Sequence, residues 1–250
     1  MKILLTNDDG IWAKGLLALY NRFRENHDVT VVAPDRERSA VGHAITLKTP
    51  LRVAKVSLNN GDKGYAVNGT PADCIKLSIM ELLDSKPDMI ISGINPGANV
   101  GINVHYSGTV AAAREAALYD IPSLAVSLDG FKARHYTEAA FFTETLSAKI
   151  MEHGLPPKTF LNVNIPDMPA EQTAGVIIGK QSLLPLDEAF EKRNDPRDYP
   201  YFWHSCDLPK INNNLDVDQS IISNNYISIT PIRCDTTAHG FIEELKGWNI

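Results

Sequence analysis

Along most of this chain, apolar residues fall into blocks whose length and period name the elements they build. Lys2-Ile3-Leu4-Leu5 is an apolar run too short for anything but a strand, and it stops on Thr6-Asn7-Asp8-Asp9-Gly10, a polar cluster closed by glycine. Over residues 15–26, Leu16, Leu17, Leu19, Tyr20 and Phe23 recur at helical spacing, and Asp28-Val29-Thr30-Val31-Val32-Ala33-Pro34 is a β-branched run ended by proline. This is a β-α-β unit. The alternation continues through a helix over 74–83, with Thr70 as N-cap, Pro71 at the first helical position and Asp73 in the first turn. A strand over 87–95 follows, then an alanine-rich helix opened by Tyr106-Ser107-Gly108-Thr109-Val110 and running to about Tyr119, a strand over 122–127, a helix over 137–151 and a strand over 160–166. Residues 45–70 break the rhythm: Ile45-Thr46-Leu47, the run 51–56 and Tyr65-Ala66-Val67 read as short antiparallel strands, with Asn60-Gly61 as a turn, in an excursion from the main sheet. From about Gly175 the chain changes to short strands and polar loops such as Asn212-Asn213-Asn214, ending in a strand over 226–232 and a closing helix over 236–248. The pattern predicts an α/β core over 1–174 with a mainly parallel sheet, and a smaller, irregular, β-rich region over 175–250.

Composition narrows the partners. With 250 residues and 44% hydrophobic content the chain can bury a full core. Its net charge of −6 argues against binding a nucleic-acid polymer through the backbone, although a small phosphorylated ligand needs only local donors. Cys74, Cys206 and Cys234 are far apart, odd in number and without C-x-x-C spacing, which points away from a disulfide framework or a zinc site and towards the cytoplasm. Asp8 and Asp9 interrupt any signal-peptide core, and no apolar run approaches the ~18 residues of a membrane span.

Chemistry gathers where strands end. Side chains alternate along a strand, so Asp8 and Asp9 can act together only past its C-terminal end, where both can turn into one crevice. Two adjacent carboxylates there repel each other, and a divalent cation is the usual remedy; for the dipeptide alone, a solvated turn with a helix cap serves as well. Parallel sheets hold ligands at this edge, which brings in the loop with Ser39 after Pro34, Asn95 with Asn99 after the third strand, and Ser107-Gly108-Thr109 at the alanine-rich helix start. Nearly all are oxygen donors, as Mg²⁺ or Mn²⁺ prefers. His43, His105, His135 and His204 lack ligand spacing and stay outside the metal site. A helix start with small residues is an anion site, and a Ser or Thr there is equally an ordinary cap.

These residues, in this order, closely resemble the SurE survival-protein family. The resemblance is carried by Asn7-Asp8-Asp9-Gly10, Ala33-Pro34-Asp35-Arg36-Glu37-Arg38-Ser39, Gly69-Thr70-Pro71-Ala72-Asp73, Ser92-Gly93-Ile94-Asn95 with Gly97 and Asn99, and Tyr106-Ser107-Gly108-Thr109-Val110. It resumes at Asp195-Pro196-Arg197 and from Ser228 to His239. It implies a Rossmann-like, doubly wound core with a C-terminal arm exchanged between subunits of a dimer or tetramer. It also implies a metal-dependent phosphatase of the 5′-nucleotidase type, acting on nucleoside monophosphates, with the 3′ isomers and short polyphosphate as further substrates. By the same similarity, Asp8, Asp9, Ser39 and Asn95 bind one divalent ion per subunit, Mg²⁺ or Mn²⁺, and Asn99, Ser107, Gly108 and Thr109 hold the phosphate. Water activated by the metal attacks the phosphoryl group in line, with Asp8 or Asp9 to take its proton. Asp235 and His239, spaced i, i+4, resemble a family pair tied to activity and subunit arrangement, and fit a cap and surface pair equally well.

Departures lie in the C-terminal region: Asp198 stands where the family pattern has glycine, Trp203-His204-Ser205 replaces aromatic-Ile-Gly, and Gly179-Lys180-Gln181-Ser182 differs from an Arg-containing turn. They bear on base preference and arm geometry. A haloacid-dehalogenase-type phosphatase needs D-x-D-x-[TV], which the adjacent Asp8-Asp9 pair does not supply. A non-catalytic nucleotide binder is the other rival, and the chain has neither G-x-G-x-x-G after its first strand nor a P-loop.

Overall fold

The computed structural model describes residues 1–58, 61–207 and 215–248. Its elements run β1 (Lys2–Thr6), α1 (Lys14–Phe23), β2 (Asp28–Pro34), β3 (Val53–Ser57), β4 (Lys63–Val67), α2 (Pro71–Leu77), β5 (Met89–Pro96), α3 (Gly108–Leu118), β6 (Ser123–Asp129), α4 (Tyr136–His153), β7 (Thr159–Pro166), β8 (Val176–Ile178), β9 (Asp187–Asn194), β10 (Pro200–Asp207), α5 (Asp218–Ser223), β11 (Ile227–Arg233) and α6 (Ile242–Lys246). Nine strands form one sheet in the order β3-β4-β2-β1-β5-β6-β7-β11-β8, and β9 and β10 form a separate antiparallel ribbon.

Alternation along β1 sorts the core into two faces. Ile3 and Leu5 pack with Leu16, Leu19 and Phe23 of α1 and Ala139 and Ala140 of α4, whereas Leu4 packs with Val32, Cys74 and Ile75 and with Ala112 and Ala116 of α3. The result is helix, sheet, helix. Alanines at 111, 112, 113, 116 and 117 are all buried, and their small side chains let α3 lie close against the sheet. Thr70 and Asp73 form a reciprocal capping box with Pro71 in the first turn of α2.

From β4 to β7 the strands are parallel, and both β2 and β5 flank β1 in register. Strand order therefore reverses beside β1, and the carboxyl ends of β1 and β5 open onto a switch-point crevice. The doubly wound, mainly parallel architecture expected above is thus the observed one.

Several local expectations are corrected. Residues 45–47 form no strand, and β4 adds to β2 in parallel, so the stretch before α2 returns to the main sheet instead of leaving it. The helix capped by Thr70 starts at Pro71 as expected, but instead of running on to 83 it loosens into a π-helical turn over Ser78–Leu82, where the Ser78 hydroxyl donates to the Cys74 carbonyl. The closing helix is reduced to the 3₁₀ turn His239–Phe241 followed by α6. In the C-terminal region, β11 pairs antiparallel with β7 and β8 adds at the edge. Asn60 of the expected turn, the Asn212-Asn213-Asn214 loop and the Cys206 side chain lie outside the described residues; Cys74 and Cys234 are free thiols. Among the described residues, no helix is long and apolar enough to cross a membrane.

Candidate active site

The turn after β1 is built by its own sequence. Asn7 is buried, its Nδ2 donating to the Gly10 carbonyl at 3.0 Å while its Oδ1 accepts from the Gly10 amide at 3.2 Å, a closed brace that projects Asp8 and Asp9 from the strand end. The following loop is tied on by the Arg38 amide, which donates to the Asp8 carbonyl at 2.7 Å. At the neighbouring strand, a register shift between β5 and β6 after Ser92 re-aims the chain just before Asn95.

The two carboxylates have different surroundings. Asp8 is buried and accepts from the Thr109 hydroxyl and from the amides of Gly108 and Thr109; burial nevertheless holds its carboxyl above the usual range. Gly108 is required at that contact, since a Cβ there would lie 2.8 Å from the Asp8 Cβ and 2.9 Å from its Oδ2. Asp9 Oδ2 is buried with no hydrogen-bond partner among the described residues. Burial, then the neighbouring charges of Asp8 and Glu37, push the Asp9 carboxyl up to about 7. Two crowded acids, both with carboxyls held above the usual range, and a buried oxygen left over are what a hard cation would resolve.

Asp8, Ser39, Asn95, Asn99 and Ser107 line one cavity of about 270 Å³, which Tyr106 and Phe131 also border. Asn95 Nδ2 donates to the Gly97 carbonyl at 2.7 Å, which spends its amide nitrogen on the loop and leaves the amide oxygen as its remaining group. Ser39 is exposed, its hydroxyl donating to Glu37 Oε1 at 2.6 Å. The candidate donor set is thus two carboxylates with hydroxyl and amide oxygens; among the described residues, no three His, Cys, Asp or Glu side chains gather as a metal centre, in this cleft or outside it. Asn99 is fixed from several sides: its amide nitrogens donate to Asn164 Oδ1 at 2.7 Å and, from the side chain, to Ser127 Oγ at 2.9 Å, and its carbonyl accepts from Asn162 at 2.7 Å. Ser107 acts as the N-cap of α3, its Oγ accepting from the Val110 amide at 3.1 Å.

Across these elements the comparisons with known proteins agree. A family model described as survival protein SurE matches residues 3–185. This chain belongs to the SurE family. It is 52% identical over 250 residues to the 5′-nucleotidase SurE of Desulfatibacillum aliphaticivorans, covering 100% of this chain and 99% of that one. To the 5′-nucleotidase SurE of Heliobacterium modesticaldum it is 48% identical over 249 residues, covering 99% of this chain and 92% of that one. The crystal structure of the SurE protein from Aquifex aeolicus superposes with a TM-score of 0.88 at 34% identity, covering 100% of both chains.

Of the residues predicted for the site, Asp9, Gly108 and Thr109 stand behind the cavity wall, next to Asp8 or bonded to it, and Asp235 and His239 do not line the cavity at all. His239 Nε2 meets Asp235 Oδ2 at 2.6 Å on the exposed surface, and hydrogen bonds from Thr237 first, then from His239, hold the Asp235 carboxyl well below the usual range. Four further contributors were not read from the sequence. Asn162 and Asn164 sit two apart on β7, facing Asn99, and their alternation in an otherwise apolar strand was a legible sign. Glu37 adds a negative charge beside Asp9. Asp218 is completely buried, accepting the Gly101 amide at 2.9 Å and the Ser182 amide at 3.0 Å, so that the C-terminal region clamps the 3₁₀ turn Gly101–His105 leading into Ser107. No local pattern marks that long-range contact.

Proposed function

We propose that this cleft is the active site of a 5′-nucleotidase that hydrolyses nucleoside monophosphates with one divalent cation per subunit, the 3′ isomers and short polyphosphate being further substrates. The names of the full-length relatives support the nucleotidase activity. The metal dependence rests on one observation, the buried Asp9 Oδ2, without a hydrogen-bond partner among the described residues, beside buried Asp8 at the carboxyl end of β1.

Asp8, Asp9, Ser39 and Asn95 would hold Mg²⁺ or Mn²⁺, which when bound neutralises the carboxylates and makes a water acidic enough to attack phosphorus. The chain's own contributions follow from its hydrogen bonds. Asp8 is committed to Thr109 and the α3 amides, whereas Asp9 Oδ2 is free to accept the attacking water's proton. Asn99, held rigid by Ser127, Asn162 and Asn164, and Ser107 face the phosphoryl oxygens. Gly108 and Thr109 act through Asp8 and through the positive end of α3. Asp235 and His239 take a supporting role at the subunit level. The exposed Phe190, Phe202 and Trp203 on the β9–β10 ribbon fit an arm that is covered by a second copy in a dimer or tetramer. The cytoplasm is the compartment proposed, on the sparse, unpaired spacing of the cysteines.

The reading is tested by phosphate release from 5′- and 3′-nucleoside monophosphates and polyphosphate, each with Mg²⁺, Mn²⁺ or chelator. Release from 5′-monophosphates that is lost on chelation is expected. No release under any condition defeats the assignment.

A further inference from the structure

We propose that Phe131 is the platform on which the nucleobase stacks, and so a specificity residue of this site; the inference rests on the nucleotidase reading above. Phe131 follows β6 in Asp129-Gly130-Phe131 and is 93% exposed. A lone exposed apolar side chain needs no explanation, but this one stands at the edge of the cleft. It lines the same cavity as Asn95, Asn99 and Ser107.

The ring lies against Gly97, in the loop that carries both asparagines. A Cβ at Gly97 would stand 3.2 Å from Phe131 Cε1 and 3.5 Å from Cδ1, so the missing side chain is what lets the ring rest there. That loop is itself pinned to the end of β6, the Gly97 amide donating to the Leu128 carbonyl at 2.8 Å. One edge of the ring is therefore seated while most of its surface stays open to solvent at the cavity mouth. Tyr106, 53% exposed, borders the same mouth.

A phosphate held at Asn99 and Ser107 leaves the rest of a nucleotide to extend outward past this rim. Every base has a π face, so a flat apolar platform binds bases without reading their hydrogen-bonding edges. The cavity interior is polar and suits phosphate and metal; the aromatic rim is the part suited to a base. A platform of this kind would accept several bases and grade them by stacking strength.

The experiment compares AMP with ribose 5-phosphate, which offers the same phosphate and sugar without a base, in wild type, Phe131→Ala and Phe131→Tyr. Phe131→Ala should raise the KM for AMP on the order of tenfold, as expected for loss of one base–aromatic stack, with kcat little changed and ribose 5-phosphate kinetics unchanged. Phe131→Tyr should restore the AMP KM. Equilibrium binding of both ligands is measured alongside turnover. Equal effects on AMP and ribose 5-phosphate, or no effect on AMP, overturn the platform. A wild type that binds AMP through Phe131 yet releases no phosphate supports the platform and overturns the nucleotidase reading.

Discussion

Thr109 Oγ1 donates a hydrogen bond to Asp8 Oδ1, fastening the first turn of α3 to the end of β1 across 101 residues of chain. Both groups are buried, so the bond joins a helix dipole, a hydroxyl and a carboxylate in a region shielded from water. Thr109→Val keeps the shape and removes the donor. It should cost about 2 kcal/mol in chemical denaturation, the usual range for a buried bond to a charged group, with Thr109→Ser losing less. Activity should fall more steeply in Thr109→Val than stability does, because the freed carboxylate no longer holds one orientation.

Asp8→Asn retains an oxygen for Thr109 and the α3 amides, so folding should survive, while one of the paired negative charges is gone. Turnover should drop at least about 100-fold, and divalent-cation binding followed by calorimetry should weaken in parallel. Chelator should reproduce the loss in wild type, and added Mg²⁺ or Mn²⁺ should reverse it. Full activity in Asp8→Asn refutes the assignment of this acid to the site.

Asp9→Asn should behave oppositely in the two assays. Its carboxylate is buried beside Asp8 and Glu37 with one oxygen unpartnered, an arrangement that destabilises the metal-free chain. Replacing the charge should therefore stabilise the chelated protein by about 1–2 kcal/mol while abolishing turnover, the trade-off expected where function keeps a strained charge pair. Thermal melts with and without cation read both effects. A chelated variant less stable than wild type contradicts this.

The parallel strands and helices of the core were legible because each buried element repeats its period within itself: Leu16, Leu19, Tyr20 and Phe23 in α1, or the β-branched run of β2. Asp8, Ser39, Asn95, Asn99 and Ser107 were legible as a cluster because parallel topology delivers strand ends to one edge whatever their distance in sequence. What stayed hidden depends on partners far along the chain. The pairing of β4 with β2 is decided by an edge that only the folded sheet presents, and Asp218 carries no local sign that its acceptors serve Gly101 and Ser182. The α6 region shows propensity without burial, since all its residues are exposed, so the expected long helix is not sustained.

Glu115 provides a test of pH dependence away from the cleft. It is buried in α3 and pairs with His43 Nε2 at 2.6 Å and Lys76 Nζ at 2.7 Å, joining the Ser39 loop and α2 to α3. Burial works against its charge, but the hydrogen bonds from His43 and Lys76 prevail and hold its carboxyl below the ordinary value of 4.5. A depressed folded-state pKa gives stability that is present above the unfolded-state value and lost as the pH falls through the folded one. Wild type should lose this increment below about pH 4.5. Glu115→Gln should be about 2 kcal/mol less stable at pH 7, allowing for partners that remain partly exposed, and the difference should shrink in acid.

Asp218 tests whether the C-terminal region shapes the cleft at a distance. Its carboxylate collects the amides of Gly101, Ser182 and Gln219, at 2.9, 3.0 and 2.8 Å, and Gln181 Nε2 adds a bond to the Gly101 carbonyl at 2.8 Å. The turn held in this way leads directly to Tyr106 and Ser107 at the cavity wall. Asp218→Ala strands buried amides and should cost about 3 kcal/mol. Asp218→Asn keeps one accepting oxygen and loses a charge that burial disfavours, so its cost should be about 1 kcal/mol. In both, amide hydrogen exchange should accelerate over residues 101–107 before it does in the core strands, because the clamp and not the sheet is what is loosened. If the turn orients Ser107 for phosphate, KM should rise in the order wild type, Asn, Ala with a smaller change in kcat. Faster exchange spread evenly through the sheet, with KM unmoved, means that Asp218 stabilises the fold as a whole and leaves the cleft alone.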